Sequence, residues 1–256
     1  MDSLSQFSLA GRRALVTGSS RGIGFAIATA LASAGAELIL NSRDTVALGE
    51  AAAKLAEGGA RARGVAFDVT NSESVNDAVD YIETDIGPID ILVNNAGMQH
   101  RAPLEDFPED MFERVMATNV TSVFLVGQAV ARNMIPRGRG KIINIASLMT
   151  GVARKSIAPY SASKAAVGNL TRAMATEWAR HGINANAIAP GYFKTELNEA
   201  LVADPQFTAW VETRTPQGRW GDVAELGGAA IFLASDAASF VNGHILYVDG
   251  AFMATV

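Results

Sequence analysis

Two periodicities alternate along the chain. Short apolar runs, ALVTG, ELILN, GVAFDV, IDILVNNAG, KIINIAS, INANAIAPG and HILYVDG, are separated by longer segments whose apolar positions recur three and four residues apart. Several of the short runs are continuously apolar rather than alternating, which predicts strands covered on both faces. The longer segments FAIATALASAG, SVNDAVDYIETDIG, DMFERVMATNVTSVFLVGQAVARNMI and AAVGNLTRAMATEWARHG suit amphipathic helices. Strand alternating with helix predicts right-handed crossovers and an α/β fold, a doubly wound parallel β-sheet with helices on both faces. No linker, composition shift or internal repeat interrupts the pattern, so residues 1–256 are expected to form a single domain. Ligands of such sheets bind beyond the carboxyl ends of the strands. The loops to read closely are therefore TGSSRGIG, NSRD, FDVT, NNAG, ASLMTG and APGYFKTE.

Composition narrows the function classes. A formal net charge of -5 offers no basic field for a nucleic-acid backbone or an anionic membrane surface, so neither is an expected partner. The chain has no cysteine, which excludes disulfides and thiolate metal sites. Its start, MDSLSQFSLAGRR, lacks the basic-then-apolar pattern of a secretory signal, and no apolar run is long enough to span a bilayer. A cytoplasmic protein is expected. His100, His181 and His244 are far apart and lack metal-ligand spacing, so no metal site is expected. Trp178, Trp210 and Trp220 read first as packing anchors.

The loop TGSSRGIG follows an apolar run and opens a helical one. Gly18, Gly22 and Gly24 permit positive φ and close backbone approach, and the free N–H groups of a helix start can hold a pyrophosphate. Ser20, Arg21 and Ile23 lie in the same loop. A tight turn without a ligand would need similar glycines, but its place on the first strand-to-helix turn favours a dinucleotide. An NAD site usually carries an acidic residue at the end of the second strand, whereas a 2'-phosphate needs a cation. Here the sequence reads Leu40-Asn41-Ser42-Arg43, with Arg43 offering a planar donor fork and Arg21 a second charge. NADP(H) is expected in preference to NAD(H).

A third group concerns chemistry. Tyr160 and Lys164 are four apart at the start of a predicted helix, which places them on one face. A nearby ammonium favours the phenolate, and the tyrosine can then exchange a proton with a substrate oxygen. Ser147 ends the run KIINIAS, where its hydroxyl would enter the same crevice and bond the substrate carbonyl or alcohol. A Tyr-x-x-x-Lys pair alone is commonly a solvated helix face; with a serine closing the preceding strand it becomes specific.

With these motifs the chain resembles the short-chain dehydrogenase/reductase family. The likeness runs from TGSSRGIG through NNAG, Asn119 in MATNVTS, Ser147, YSASK and APG to the final VDG. It implies a Rossmann fold and a nicotinamide-dependent oxidoreductase of alcohols and ketones. The implied catalytic tetrad is Asn119, Ser147, Tyr160 and Lys164. Tyr160 is then the acid/base, Ser147 polarises the substrate, Lys164 also binds the nicotinamide ribose, and Asn119 holds a relay water. Asn95, Ala96 and Gly97 would line the adenosine side, Asp68 and Val69 the adenine, and Pro190, Gly191, Phe193 and Thr195 the carboxamide and phosphates. The family also implies a homotetramer, with subunit contacts around residues 108 to 134 and 160 to 181, and a mobile lid over 196 to 220.

Within that family, FSLAG, DIGPIDILVNNAG, APGYFKTE, FTAW, RTP with RWGD, and FVNGH with VDG resemble a branch that reduces 5-ketogluconate to gluconate with NADPH. A sugar acid needs a cation for its carboxylate. Arg101 and Arg154 stand where that branch also has arginine, and loop or subunit-contact roles remain open for both. Met149-Thr150-Gly151 replaces the branch's common Gln-Ser-Glu, and His100 a frequent arginine, which makes the site less suited to a polyol. Met149 is therefore a candidate substrate contact. Other sugars or polyols, a 3-oxoacyl thioester and a less polar ketone stay open as substrates, as does a non-catalytic NADP(H)-binding regulator.

Overall fold

The computed structural model describes residues 4–255. In chain order it runs β1 (Arg13–Val16), α1 (Gly22–Ser33), β2 (Glu37–Leu40), α2 (Thr45–Glu57), β3 (Ala62–Gly64), α3 (Ser72–Tyr81) and β4 (Ile91–Asn94). Next come α4 (Glu109–Met116), α5 (Ser122–Arg137), β5 (Gly140–Ile145), α6 (Ala158–Trp178) and β6 (Ile183–Pro190). The chain then passes through α7 (Glu199–Val202), α8 (Pro205–Arg214) and α9 (Leu226–Ala234) before β7 (Ile245–Val248). The strands make one seven-stranded sheet, ordered β3-β2-β1-β4-β5-β6-β7, with every neighbouring pair parallel. Strand order reverses between β1 and β4, and the crevice beyond their carboxyl ends is where such sheets hold ligands.

Side-chain alternation along each strand divides the core into two layers. Leu15, Leu92, Ile142 and Ala187 face Val79, Val126, Val130, Val167 and Met174 of α3, α5 and α6. Ala14, Val16, Ile91, Val93 and Ile143 face Ile27, Leu31, Leu55, Leu226 and Leu233 of α1, α2 and α9. This is the doubly wound arrangement that the continuous apolar runs predict. Each of these larger side chains contributes about 1.5–3 kcal/mol by leaving water.

Three details differ from the sequence expectation. The run GVAFDV contributes only Gly64 to β3, which lies earlier, at Ala62–Gly64. Beyond it, Asn41 Nδ2 donates to the Phe67 carbonyl at 3.0 Å, so a side chain replaces the strand ladder there. The predicted helix spanning 110–135 is divided by a π turn at Ala117–Thr121, between α4 and α5. Helix α2 lacks a place among the predicted helices; Asp44 starts it by accepting from the Val46 and Ala47 N–H groups. Among the described residues, no helix is long and apolar enough to cross a membrane.

Candidate active site

The glycine loop is fixed by its neighbours. Gly18 and Gly22 both have φ of +59°, the left-handed region that favours glycine. A Cβ on Gly24 would lie 2.4 Å from both Asn95 Nδ2 and the Gly18 carbonyl, so the third glycine answers to close packing. Asn95 Nδ2 donates to the carbonyls of Thr17 and Gly18 at 2.9 and 2.8 Å. In return Thr17 Oγ1 accepts from the N–H groups of Asn95 and Ala96 at 3.0 and 3.1 Å. The loop after β1 and the loop after β4 thus form one hydrogen-bonded unit. Thr17 is a member of that unit to which sequence reading gave no role.

Several features fit a dinucleotide in the adjoining groove. Helix α1 starts at Gly22 with no side-chain cap, leaving its first N–H donors for an anion. Arg21 and Arg43 flank this start with side chains 77% and 78% exposed, paired at 3.4 and 3.9 Å with Glu196 and Asp68. Ser20, Ile23 and Ser42 lie in the same region and are partly exposed, as are Ala96 and, more fully, Gly97. Thr195 Oγ1 is buried without a hydrogen-bond partner, so a polar ligand group there would satisfy it. Asp68 accepts from the hydroxyl and N–H of Thr70, which hold its carboxyl below the ordinary value. Pro190 is buried, and Gly191 is glycine by contact, since its Cβ would meet Asp249 Cα at 2.7 Å. The side chains of Val69 and Phe193 are in the core, so these two expected contacts can offer only backbone. Asn41 is likewise internal: its N–H donates to Ser19 Oγ and its amide spans to Phe67.

Ser147, Tyr160 and Lys164 meet at the carboxyl end of β5. Ser147 opens a single 3₁₀ turn in extended conformation, and its hydroxyl interacts with the Tyr160 phenol. Lys164 is 5% exposed and donates from Nζ to the Ile145 carbonyl at 2.7 Å, with Nζ 5.7 Å from the Tyr160 ring centre. Burial lowers its pKa from 10.5 to about 8. Tyr160 differs from the expectation of a favoured phenolate. Burial raises its pKa above 10.0, opposed by the Ser147 hydrogen bond and assisted by Tyr192. Desolvation of the anion outweighs the stabilisation, and the phenol remains protonated.

Asn119 sits in the π turn and is fully buried. Its amide accepts from Met98 N–H at 2.8 Å and donates to the Met98 carbonyl and Ser163 Oγ at 2.9 and 3.0 Å. Ser163 in turn donates to the Tyr160 carbonyl at 2.7 Å. Gly97 fits beside this group, a Cβ there lying 3.4 Å from Asn119 Oδ1 and 3.9 Å from Lys164 Nζ. The Asn119 side chain therefore braces the turn after NNAG against α6.

The two candidate substrate arginines converge on a residue that sequence reading passed over. Tyr192 lies in APGYFKTE, and the charges of Arg154 and Arg101 both act on its phenol. Burial is the larger influence and raises the phenol's pKa. Arg101 has its own pKa lowered by burial and then by Arg154. Around Tyr192 stand Phe207, Trp210, Trp220 and Phe252, with ring centres 5.6–5.8 Å away. Met149 is in the adjoining apolar cluster with Leu148, Ile157 and Phe252. Gly151 faces Tyr247 Oη and Met253 Cε, 3.1 and 3.0 Å from its notional Cβ. His100 packs edge-on against Phe107. Among the described residues, no group of His, Asp and Glu is placed to hold a metal ion.

Comparison with known proteins agrees with this geometry. A family model described as enoyl-(acyl carrier protein) reductase matches residues 18–252. The chain is 58% identical over 244 residues to gluconate 5-dehydrogenase of Gluconobacter oxydans, covering 95% of each chain. It is 53% identical to 5-keto-D-gluconate 5-reductase of Escherichia coli over 98% of each. A crystal structure of a gluconate 5-dehydrogenase from Burkholderia cenocepacia, in complex with NADP and tartrate, superposes with a TM-score of 0.97 at 53% identity and 99% coverage of both chains. The sheet order, the glycine loop and the Ser147, Tyr160 and Lys164 grouping have the same explanation: the chain belongs to the short-chain dehydrogenase/reductase family.

Proposed function

We propose that this protein is an NADP(H)-dependent oxidoreductase that interconverts a secondary alcohol and a ketone on a sugar acid, with gluconate and 5-ketogluconate as the pair. The observation that carries the reaction class is the convergence of Ser147, Tyr160 and Lys164 in one desolvated crevice at the carboxyl end of β5. Arg21, Ser42 and Arg43 would hold the 2'-phosphate side, the open start of α1 the pyrophosphate, and the loop from Pro190 to Thr195 the carboxamide. The nicotinamide supplies or accepts the hydride when bound. In the reductive direction Tyr160, protonated at neutral pH, donates its proton to the substrate carbonyl oxygen. Ser147 orients that oxygen, and the Lys164 ammonium stabilises the resulting phenolate. Asn119 keeps the loop after β4 in register with α6 and stands beside the lysine, where a relay water would connect it to solvent.

Two arginines without a carboxylate partner support the acid. None of the ion pairs among the described residues includes Arg101 or Arg154, and burial together with the nearby Arg154 charge lowers the proton affinity of Arg101. A substrate carboxylate would neutralise them. Met149 and Gly151 favour a second reading, in which the substrate is an acid with fewer hydroxyls than gluconate. We further propose one cytoplasmic single-domain chain assembled as a homotetramer through α4, α5 and α6. Exposed Phe112 and Phe124 on α4 and α5 suit such a contact.

The decisive experiment is Tyr160→Phe. It is expected to lower kcat by a factor of about 10³ or more, with NADPH binding little changed. Normal turnover by that variant overturns the acid/base role. NADPH oxidation with 5-ketogluconate, deoxy keto acids, neutral keto-sugars and an acetoacetyl thioester then orders the substrates.

A further inference from the structure

We propose that Tyr192 is a specificity-determining residue, its hydroxyl completing a three-donor seat for the substrate carboxylate with Arg101 and Arg154, and its ring joining that seat to the aromatic lid. This rests on the reading that the substrate is an acid.

The hydroxyl is placed to bond an anion. Arg154 and the Tyr192 ring share Phe207 as a neighbour, the guanidinium carbon 5.1 Å and the tyrosine ring centre 5.7 Å from its centre, which sets the cation beside a phenol whose hydroxyl can donate. The Arg154 Nε is itself buried without an acceptor, and the guanidinium carbon lies 5.1 Å from the Phe207 ring centre. A planar cation with one face on an aromatic ring and a buried unused donor is an incomplete site. A carboxylate seated among the three groups would accept from all of them. Because Tyr192 and Tyr160 pack against the same apolar cluster of Leu148, Met149, Ile157 and Phe252, the seat lies next to the acid/base rather than at a remote edge.

The ring has a separate part. Phe207 and Trp210 of α8 pack on Tyr192 with centroids at 5.7 and 5.6 Å, and they pack on each other at 5.3 Å. Trp220 follows the lid and Phe252 follows β7, and both also contact the Tyr192 ring. Anchoring the carboxylate on the hydroxyl therefore bears directly on α8, part of the 196–220 segment that family resemblance makes the lid. An acid is held with the lid in place, whereas a neutral analogue has no bond to Tyr192 to do so.

The test is Tyr192→Phe in the full enzyme, which removes the hydroxyl and keeps the ring. KM for the preferred sugar acid is expected to rise about tenfold to a hundredfold, the range for losing one hydrogen bond to a charge, with kcat within a few-fold of wild type. The kcat/KM for a neutral keto-sugar and the Kd for NADPH should not move. Tyr192→His, which retains a ring and a donor, should recover part of the preference for the acid. An unchanged acid KM, or an equal loss on acid and neutral substrates, overturns the proposal. Arg154→Met separates the two readings. If it abolishes acid preference while Tyr192→Phe does not, the acid substrate stands and the role of Tyr192 falls. If wild type shows no preference for acids, both fall together.

Discussion

Lys164 is the residue in which burial and chemistry act against each other most directly. Its amine is almost wholly removed from water, with the Ile145 carbonyl as its hydrogen-bond acceptor, and its pKa falls from 10.5 to about 8. In the proposed mechanism reduction requires the ammonium, because the phenolate left on Tyr160 needs a positive neighbour. The ammonium is present below pH 8 and is lost as pH rises through that value. Reductive kcat/KM should therefore be level from about pH 6 to 7 and fall about tenfold per unit above pH 8. A pH profile checks this, and a profile level to pH 10 would contradict the assignment. The stability sign is opposite. Between pH 8 and 10.5 the unfolded lysine binds a proton that the folded one does not, so this residue makes folding stability rise with pH in that window. The residue types were legible in sequence because Tyr160 and Lys164 share a helix face. Tyr192 was not, because its significance comes from groups that are far away along the chain: Arg101, Arg154, Phe207 and Phe252.

At the scale of elements, the sequence shows where strands and helices lie better than where they are interrupted. The apolar spacing through residues 110–135 continues across the π turn, since a single inserted residue displaces the stripe without erasing it. Asn119 is consequently visible as a motif residue but not as the occupant of a helix defect. Strand β3 is short because Asn41 takes over its hydrogen bonding, a substitution of side chain for ladder that periodicity cannot display. The glycine loop was read correctly as an element, although conformation explains only two of its three glycines. Gly24 is limited by contact, and Gly24→Ala would push a methyl into the Asn95 amide and the Gly18 carbonyl. It is expected to destabilise the fold by about 1–3 kcal/mol. NADPH affinity should fall about tenfold or more with it, as measured by thermal melting and fluorescence titration. A variant with wild-type stability and affinity would show that the two loops can separate at little cost.

Across the whole molecule, the alternation of apolar runs was enough to predict a doubly wound sheet, because burial on both faces leaves its mark in every strand. The groove for a dinucleotide, by contrast, depends on joints between distant segments. Asn41 is the clearest case. It closes β2, its backbone is bonded to Ser19 after β1, and its amide holds the extended chain at Phe67. In sequence it occupies the region where an acidic residue would choose NAD. In the fold it faces inward and is 2% exposed. Replacing it with aspartate would turn an oxygen toward the Val65 and Phe67 carbonyls in place of the amide donor. Asn41→Asp should therefore lower stability by about 1–3 kcal/mol in a thermal or urea melt without creating NADH preference. If the coenzyme phosphate sits as proposed, a designer seeking to change it would work at Ser42 and Arg43, since Asn41 is a rivet fastening the ends of β1 and β2 to the chain at Phe67.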